Sequence, residues 1–571
     1  MLKYFRKNWV YLVLALIIIA AIGIRVYHFS SGLHFGMDQA RDAYLVKKAV
    51  LDGPSQLPLL GPRAGGTFVR LGPVFYYFQY LSAKLFGSTS PPVFAYPDLL
   101  FSILVIPLFF FFLKLFFKNT TALLVTALFA FNFVIIQFSR FAWNPNSIPF
   151  WTLLTFFALF RAVDEKRKIK KYLWLVLVAV GWAVAGQLHF VVLAAIPITI
   201  FFFLLWTGKW RNFSWKEAAL FFAIVVIFFA PMILSDIKMS GDNIKQFVWA
   251  FKYKPQEHGL TDNLKTDLSM HANYWTQILT TYISPTGKAS LLAGAALPLF
   301  GLFYIFGGLK KKEEGDRKKN FLKLIFAWAA VSFLILIPFA FQIKPRFLFF
   351  EIFIPFIFVG FGIEWLLAGK KWKKLAMVAV VGATLVIICL NAEATKAWFE
   401  KMKNKKEFSV WGGRYPFVQY PKEISVSDFQ QAAEFVEEKS PDPGKKIYFY
   451  GNLELRNPLI YLLKEKNPNL DYGYISFSKK DFSGAYFSIT TSNGGFESMP
   501  RKYQAKFDLA ENKIFEKLAV QELSLKEVQP KKSEEESLKE PNDPKMQSET
   551  EKNSKKGLKK SDRVLWEDIF K

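Results

Sequence analysis

Two carboxylates and a guanidinium stand at Asp38, Arg41 and Asp42, within the run Met37-Asp38-Gln39-Ala40-Arg41-Asp42. The spacing is i, i+3 and i+4. If Asp38 opens a helix, all three side chains project from one face, with neighbouring Cβ atoms about 5–6 Å apart. Such a patch suits a reaction that takes a proton from a hydroxyl while a phosphate departs. One carboxylate acts as general base, and the guanidinium grips phosphate oxygens in a bidentate fork. The same residues also suit plainer duties, with Asp38 as a helix cap and Arg41 and Asp42 as a solvated surface pair. Their position is informative: they follow directly on the first apolar run, Trp9 to Ile24. A charged side chain facing lipid costs roughly 2.5–3.5 kcal/mol, so charges so near a membrane edge need a purpose.

Three further cations fall on separate loops: Arg70 in Arg70-Leu71-Gly72-Pro73, Arg140 in Ser139-Arg140-Phe141-Ala142-Trp143-Asn144-Pro145-Asn146, and Arg346 in Lys344-Pro345-Arg346. An anionic lipid head group is a natural partner for arginines arranged this way, while snorkelling to bulk phospholipid is the plainer alternative. Asn144 is a candidate contact to the same ligand and also a turn former before Pro145. His189, in Gln187-Leu188-His189-Phe190, could line the same cavity or serve structurally at a helix end. His28, His34 and Asp38 match no standard ligand spacing, so no cofactor is assigned and a divalent metal is left open. The sequence contains no P-loop, no GxGxxG and no GxSxG elbow, which removes support for nucleotide hydrolysis and for Ser-His-Asp chemistry.

The elements that must position these groups are membrane helices. Of 571 residues 52% are hydrophobic, 63 of them Phe, more apolar surface than a soluble fold could bury. About eleven apolar runs are expected, near 8–27, 94–117, 121–138, 146–162, 172–188, 190–206, 217–235, 289–308, 321–341, 347–368 and 374–391. The net charge is +27, and basic residues cluster in short loops between runs, at 161–171, 310–319 and 370–374. Basic loops of this kind are a topology signal, not a nucleic-acid surface. With Lys3, Arg6 and Lys7 ahead of the first run, the N-terminus is expected in the cytoplasm and the Asp38 cluster outside. The first run lacks a small-x-small cleavage site and reads as a retained anchor of a multi-pass cell-membrane protein. Cys389, the only cysteine, excludes an intramolecular disulfide.

Within the first outer segment, the spacing predicts a helix over Asp38–Leu51 and another over Val74–Phe86. The second is introduced by Gly72-Pro73, closed by Gly87, and aromatic enough to lie in the membrane interface. From about 395 the chain reads as soluble. A capping box at Ser427-Asp428-Phe429-Gln430 opens a helix, strands follow at 446–450 and 485–489, and a helix lies near 458–466. The expected fold is therefore a polytopic α-helical membrane protein with a small extracytoplasmic α/β domain. Its parts are a membrane domain at 1–391, the α/β domain at 392–528 and a charged tail at 529–571. Lys, Glu and Ser dominate that tail, and disorder is expected to about 560. Val564-Leu565-Trp566 and Ile569-Phe570 close the chain as a short amphipathic stretch with no assigned role.

In the acidic residues after the first span, the helix Gly72-Pro73-Val74-Phe75-Tyr76-Tyr77-Phe78 ending in Lys84-Leu85-Phe86-Gly87, and the arginine-bearing loop that follows, the chain resembles the GT-C-type membrane glycosyltransferases. The branch it looks most like holds the protein O-mannosyltransferases and the lipid A aminoarabinose transferases. The resemblance implies transfer of a sugar from a polyprenyl-phosphate donor to an extracytoplasmic lipid, glycan or protein acceptor. It lands the family's first-loop acid on Asp38. The family usually carries Asp-Glu there, whereas this chain has Asp38-Gln39, which makes Asp42 a substitute acid one turn later. Arg41, Arg70, Arg140 and Arg346 correspond loosely to its phosphate-holding cations. A flippase or transporter, or a polymerase of lipid-linked glycans, are the competing readings. The former predicts ionisable residues inside the spans and internal repeats, but the runs hold few charges, Asp98, Glu351 and Glu364 being the notable acids, and no repeat is visible.

Overall fold

The computed structural model describes residues 2–64, 68–253, 259–280, 288–312, 314–369, 372–404, 424–440, 442, 444–475, 484–492, 494–526 and 564–570. Among them, seven helices are long and apolar enough to cross a membrane: 8–26 of α1 (Leu2–Val26), α4 (Pro91–Leu113), α8 (Lys168–Leu188), α9 (Phe190–Thr207), α10 (Trp215–Lys238), 316–342, which includes α14 (Asp316–Leu336), and 373–400 of α16 (Lys373–Asn404). The remaining expected runs correspond to shorter apolar helices: α5 (Asn119–Ala130), α7 (Ile148–Ala162), 295–310 of α13 (Lys288–Lys310) and α15 (Ile354–Ala368). The chain is a multi-pass helical membrane protein.

Two expected spans are interrupted, each for a local reason. The run at 121–138 breaks after α5, and the short α6 (Phe133–Phe138) begins anew at Asn132, whose side chain caps Ile135 N at 3.2 Å. Asn391 on α16 reinforces the break by accepting from Phe133 N at 2.9 Å. The run at 347–368 becomes helical only at Ile354. Before it lie a 3-10 turn, Pro345–Leu348, and further turns that include Glu351.

Two short helices carry the segment between α1 and α4. α2 (Met37–Asp52) opens at Gly36, whose N–H donates to the Gln39 side chain at 3.1 Å, and closes at Gly53 with a φ of 107°. α3 (Val74–Phe86) starts after Pro73 and ends on Gly87 in the left-handed conformation, as its flanking glycine and proline predict. Its outer edge leaves Leu81, Leu85 and Phe86 exposed, the surface an interfacial helix presents to lipid.

Between α2 and α3 the chain forms a tight hairpin. Gly61 N donates to Leu71 O at 2.8 Å, Leu71 N to Pro62 O at 2.9 Å, and Ala64 N to Val69 O at 2.8 Å. The hairpin is pinned to the end of α8 by Gly72 N donating to Gln187 O at 3.0 Å.

The C-terminal unit is a five-stranded sheet in the order β2-β1-β3-β5-β4, from β1 (Ile447–Gly451), β2 (Tyr472–Tyr474), β3 (Ala485–Thr491), β4 (Phe507–Phe515) and β5 (Leu518–Leu525). β1, β2 and β3 run parallel, and β3, β5 and β4 antiparallel. Alternation along β3 sends Phe487 to one buried cluster and Tyr486 to another on the opposite face. Helix α17 (Val426–Lys439) begins two residues earlier than expected. Ser425 is its cap, and the Asp428 side chain accepts from Ser425 N at 2.8 Å, so the box is Ser425…Asp428 and not one opening at Ser427. The stretch 529–563, where disorder is expected, lies outside the described residues.

Helix α18 (Leu453–Lys466) joins this unit to the membrane domain. Tyr461 OH donates to Thr89 O at 2.6 Å, Lys47 Nζ to Lys464 O at 3.4 Å, and Met37 N to a Glu454 carboxylate oxygen at 3.4 Å. The α/β unit thus braces α2, which carries the acidic cluster.

A methyl group at Gly61 would collide with the backbone carbonyl of Gly72, across the neck of the hairpin. Gly61→Ala is expected to cost about 1–3 kcal/mol, read as a fall in melting temperature of the detergent-purified protein.

Candidate active site

The first turn of α2 arranges the acidic cluster as the spacing predicts. Arg41 Nη1 meets Asp38 Oδ1 at 2.7 Å, and Arg41 Nε meets Asp42 Oδ1 at 2.8 Å. One guanidinium therefore bridges both carboxylates. The acids differ in setting: the Asp38 side chain is 48% exposed, that of Asp42 only 5%. Tyr76 on α3 donates its hydroxyl to Asp42 Oδ1 at 3.0 Å, tying the two helices together. Burial pushes the Asp42 carboxyl up, opposed by the Arg41 guanidinium and the Tyr76 hydrogen bond. Burial alone would lower Arg41, but Asp42 and Asp38 outweigh it and raise it, so this cation keeps its proton.

Gln39 stands where the resemblance leads one to expect Glu. Its Oε1 accepts from Gly36 N, and its Nε2 donates to Ala142 O at 3.0 Å. A carboxylate could not make the second bond. Here the side chain works as a strut to the 139–147 loop, which leaves Asp42 as the second acid of the cluster.

That loop is held from several sides. Trp143 N donates to Asp98 Oδ2 at 2.9 Å, Asn144 Nδ2 to Leu188 O at 2.7 Å, and Phe141 stacks edge-on with His34, ring centroids 5.5 Å apart. Arg346 lies 5.8 Å from the Trp143 ring centroid and 5.7 Å from that of Phe347. Phe347 in turn meets His189 edge-on at 4.7 Å. Asn144, His189 and Arg346 thus gather around one loop, and Gln39 links that loop to the acidic helix.

His189 serves as the N-cap of α9, its ring nitrogen Nδ1 accepting from Val191 N at 3.4 Å. Burial, with the Arg346 guanidinium adding to it, pushes the His189 imidazole down to about 3. His34 is pushed down to about 4 by burial, against the pull of Asp38. Both are neutral near pH 7. Among the described residues no three His, Cys, Asp or Glu side chains are grouped to hold a metal ion.

Arg140 turns the other way. Its Nη1 donates to Arg25 O at 2.6 Å and its Nη2 to His28 O at 3.0 Å, beneath the rings of Phe29, Trp398 and Phe399. It satisfies the Arg25 carbonyl in the last turn of α1, which has no partner within the helix, and adds a bond to His28 in the turn just beyond. Arg25 repeats the device one helix further on, its Nη1 donating to Ala130 O at the end of α5 at 2.9 Å. The two buried cations are helix-end brackets.

Arg70 occupies a separate wall. Its backbone is clasped by Asn243, whose Oδ1 accepts from Arg70 N at 2.8 Å and whose Nδ2 donates to Arg70 O at 3.1 Å. Beside it opens a largely apolar hollow of about 600 Å³ lined by Arg70, Gly72, Phe190, Met232, Asp236 and Phe247, among others. Phe190 borders both this hollow and His189.

Sequence reasoning missed Tyr76, Gln39 and the use of Asp98. The signal for Tyr76 was available in the aromatic run of α3, but amphipathicity alone pointed its rings to lipid. Gln39 showed itself only as a departure from a pattern.

The fold is similar to that of ArnT from Cupriavidus metallidurans, solved bound to undecaprenyl phosphate, with 12% identity, a TM-score of 0.54, and 90% of this chain and 98% of that chain covered. The Archaeoglobus fulgidus oligosaccharyltransferase, solved tethered with an acceptor peptide, aligns over 86% of this chain and 70% of that chain at 12% identity and a TM-score of 0.47. No curated protein sequence matches the chain. The helical membrane body with its α/β unit shares its fold with that ArnT. Residues 70–234 match the family model described as dolichyl-phosphate-mannose-protein mannosyltransferase. The resemblance read from the first outer segment is thereby borne out.

The buried His189 gives a pH signature. Its pKa is about 3 folded and about 6.5 unfolded, so between these values the unfolded chain binds more protons. Stability therefore rises with pH across that window, by up to about 1.4 kcal/mol per unit. His189→Gln removes this term. The melting temperature of the parent should fall relative to that of the variant as pH drops from 6.5 towards 4, and parallel curves would exclude a neutral buried imidazole.

Proposed function

We propose that this protein is a membrane glycosyltransferase that moves a sugar from a polyprenyl-phosphate donor to an acceptor on the extracytoplasmic side. The observation that carries the reading is the Asp38–Arg41–Asp42–Tyr76 network at the start of α2, just past the end of α1. The match of residues 70–234 to a mannosyltransferase family model and the GT-C fold support it. The basic N-terminal flank supports a cytoplasmic N-terminus and an outward-facing α2.

The environments divide the labour between the acids. Asp38 is half-exposed and open to an acceptor hydroxyl, which suits a general base. Asp42 is buried and doubly engaged, and it fixes the guanidinium of Arg41. Arg41 then stands ready for the phosphate that leaves as the acceptor oxygen attacks the anomeric carbon. The acceptor proton passes to Asp38, the glycosidic bond to phosphate breaks, and its electrons stay on the polyprenyl phosphate. A single displacement of this kind inverts the anomeric centre.

The apolar hollow beside Arg70 has the size and lining for part of an isoprenoid, with Arg70 at its wall for anionic oxygens. Arg346, Asn144 and His189 offer polar contacts around the 139–147 loop. Arg140 acts as a positioning residue through the end of α1.

The test is transfer from a synthetic polyprenyl-phosphate sugar by the purified protein in lipid. Asp38→Asn should lower turnover by about 10²–10⁴-fold with an unchanged melting temperature. Tyr76→Phe, which frees Asp42 from α3, should lower it less, by about tenfold. Full turnover in Asp38→Asn would remove this side chain from the mechanism.

A further inference from the structure

The last residues of the chain return to the first outer segment. Leu59 N donates to Val564 O at 2.9 Å and Trp566 N to Leu57 O at 3.2 Å, so Pro58 and Leu565 face each other as an antiparallel bridge. Pro58 has no N–H to lose here, because both bonds come from its neighbours. Trp566 Nε1 donates to Tyr77 Oη at 3.0 Å, Tyr77 Oη to Pro58 O at 3.2 Å, and Gln56 Nε2 to a Glu567 carboxylate oxygen at 2.6 Å. Val564 is buried, and Asp568 folds back to accept from Leu565 N at 2.8 Å, which ends the strand in a turn. The contact joins backbone, an aromatic anchor and a polar side chain over only a few residues.

We propose that the surface formed by Gln56–Leu59 and Tyr77 is a docking site for an extended aromatic–acidic peptide, filled here by the chain's own C-terminal segment Val564–Phe570. Its occupancy holds the hairpin that carries Arg70. Leu59 leads straight into that hairpin, whose neck is the Gly61–Leu71 and Leu71–Pro62 pair of hydrogen bonds. Tyr77 sits beside Tyr76, the residue that grips Asp42. One short peptide thus touches both the stretch that leads into the Arg70 hairpin and the helix that steadies the acidic cluster.

The connecting stretch, 527–563, contains no aromatic residue and is dominated by Lys, Glu and Ser, so Trp566 is an isolated anchor at the far end of a tether. A segment this short binds weakly by itself. Tethering makes docking intramolecular, with an effective concentration in the millimolar range at most. The site is therefore poised for reversible occupancy, and an outside peptide of the same chemistry would compete for it.

The docking test needs no catalytic readout and so stands apart from the proposed transfer reaction. In full-length Trp566→Ala, the Leu59 amide, followed by hydrogen exchange in detergent, should exchange at least tenfold faster than in the parent. The Leu71 amide should follow it. Millimolar synthetic peptide of residues 564–571 should restore both, and Trp566→Phe, which keeps a ring but loses the bond to Tyr77, should fall between. Unchanged exchange at Leu59, or no rescue by the peptide, overturns the docking site. Faster exchange at Leu59 with Leu71 unaffected overturns the hold on the hairpin. Protection that grows with protein concentration would assign the occupant to a second copy and overturn the intramolecular arrangement.

Discussion

A guanidinium shared by two carboxylates at a membrane edge is a demanding arrangement, and much of the outer structure follows from it. Desolvating such charges costs several kcal/mol per ion unless each keeps good partners. Asp42 is buried and keeps two, Arg41 and Tyr76. Tyr76 requires α3 to lie against α2, and α3 is oriented by the Gly72-Pro73 entry pinned to the end of α8. Asp38, also paired with Arg41, is left half-exposed. The division between a held acid and an open one arises from packing, not from any difference in side-chain chemistry.

The same rule, that a polar group beside lipid must find its partner within the protein, explains the two buried arginines. Arg25 and Arg140 each bond carbonyls at a helix C-terminal end, where four groups lack intrahelical partners and the dipole is negative. These brackets lock α1, α5 and the 139–147 loop into one body. The loop can then present Asn144 and Trp143 at fixed positions beside His189 and Arg346. Arg140, turned away from the acidic cluster, still bears on the loop through the frame it holds.

The α/β unit and the segment Val564–Phe570 act on the same frame. α18 lies along α2, with Tyr461, Glu454 and Lys464 contacting residues of the first outer segment. Val564–Phe570 reaches the other end of that segment, at residues 56–59. Two distant parts of the chain therefore converge on the segment that bears the acids and Arg70.

Periodicity and punctuation carried the local structure. Apolar runs located the membrane helices, Gly72-Pro73 and Gly87 bounded α3 to the residue, and the i, i+3, i+4 spacing placed Asp38, Arg41 and Asp42 on one face. Each depends on residues within a few positions of one another, which is why a linear string suffices. The break at Asn132 and the late start of α15 were less legible, because partners such as Asn391 lie hundreds of residues away. Only the tertiary structure decided that Arg140 brackets a helix, that Gln39 struts to Ala142, that Tyr76 holds Asp42 and that Trp566 reaches Tyr77. Hydrogen bonds across such separations leave no periodic trace along the chain. They exist because folding brings unpaired donors and acceptors together where water cannot satisfy them.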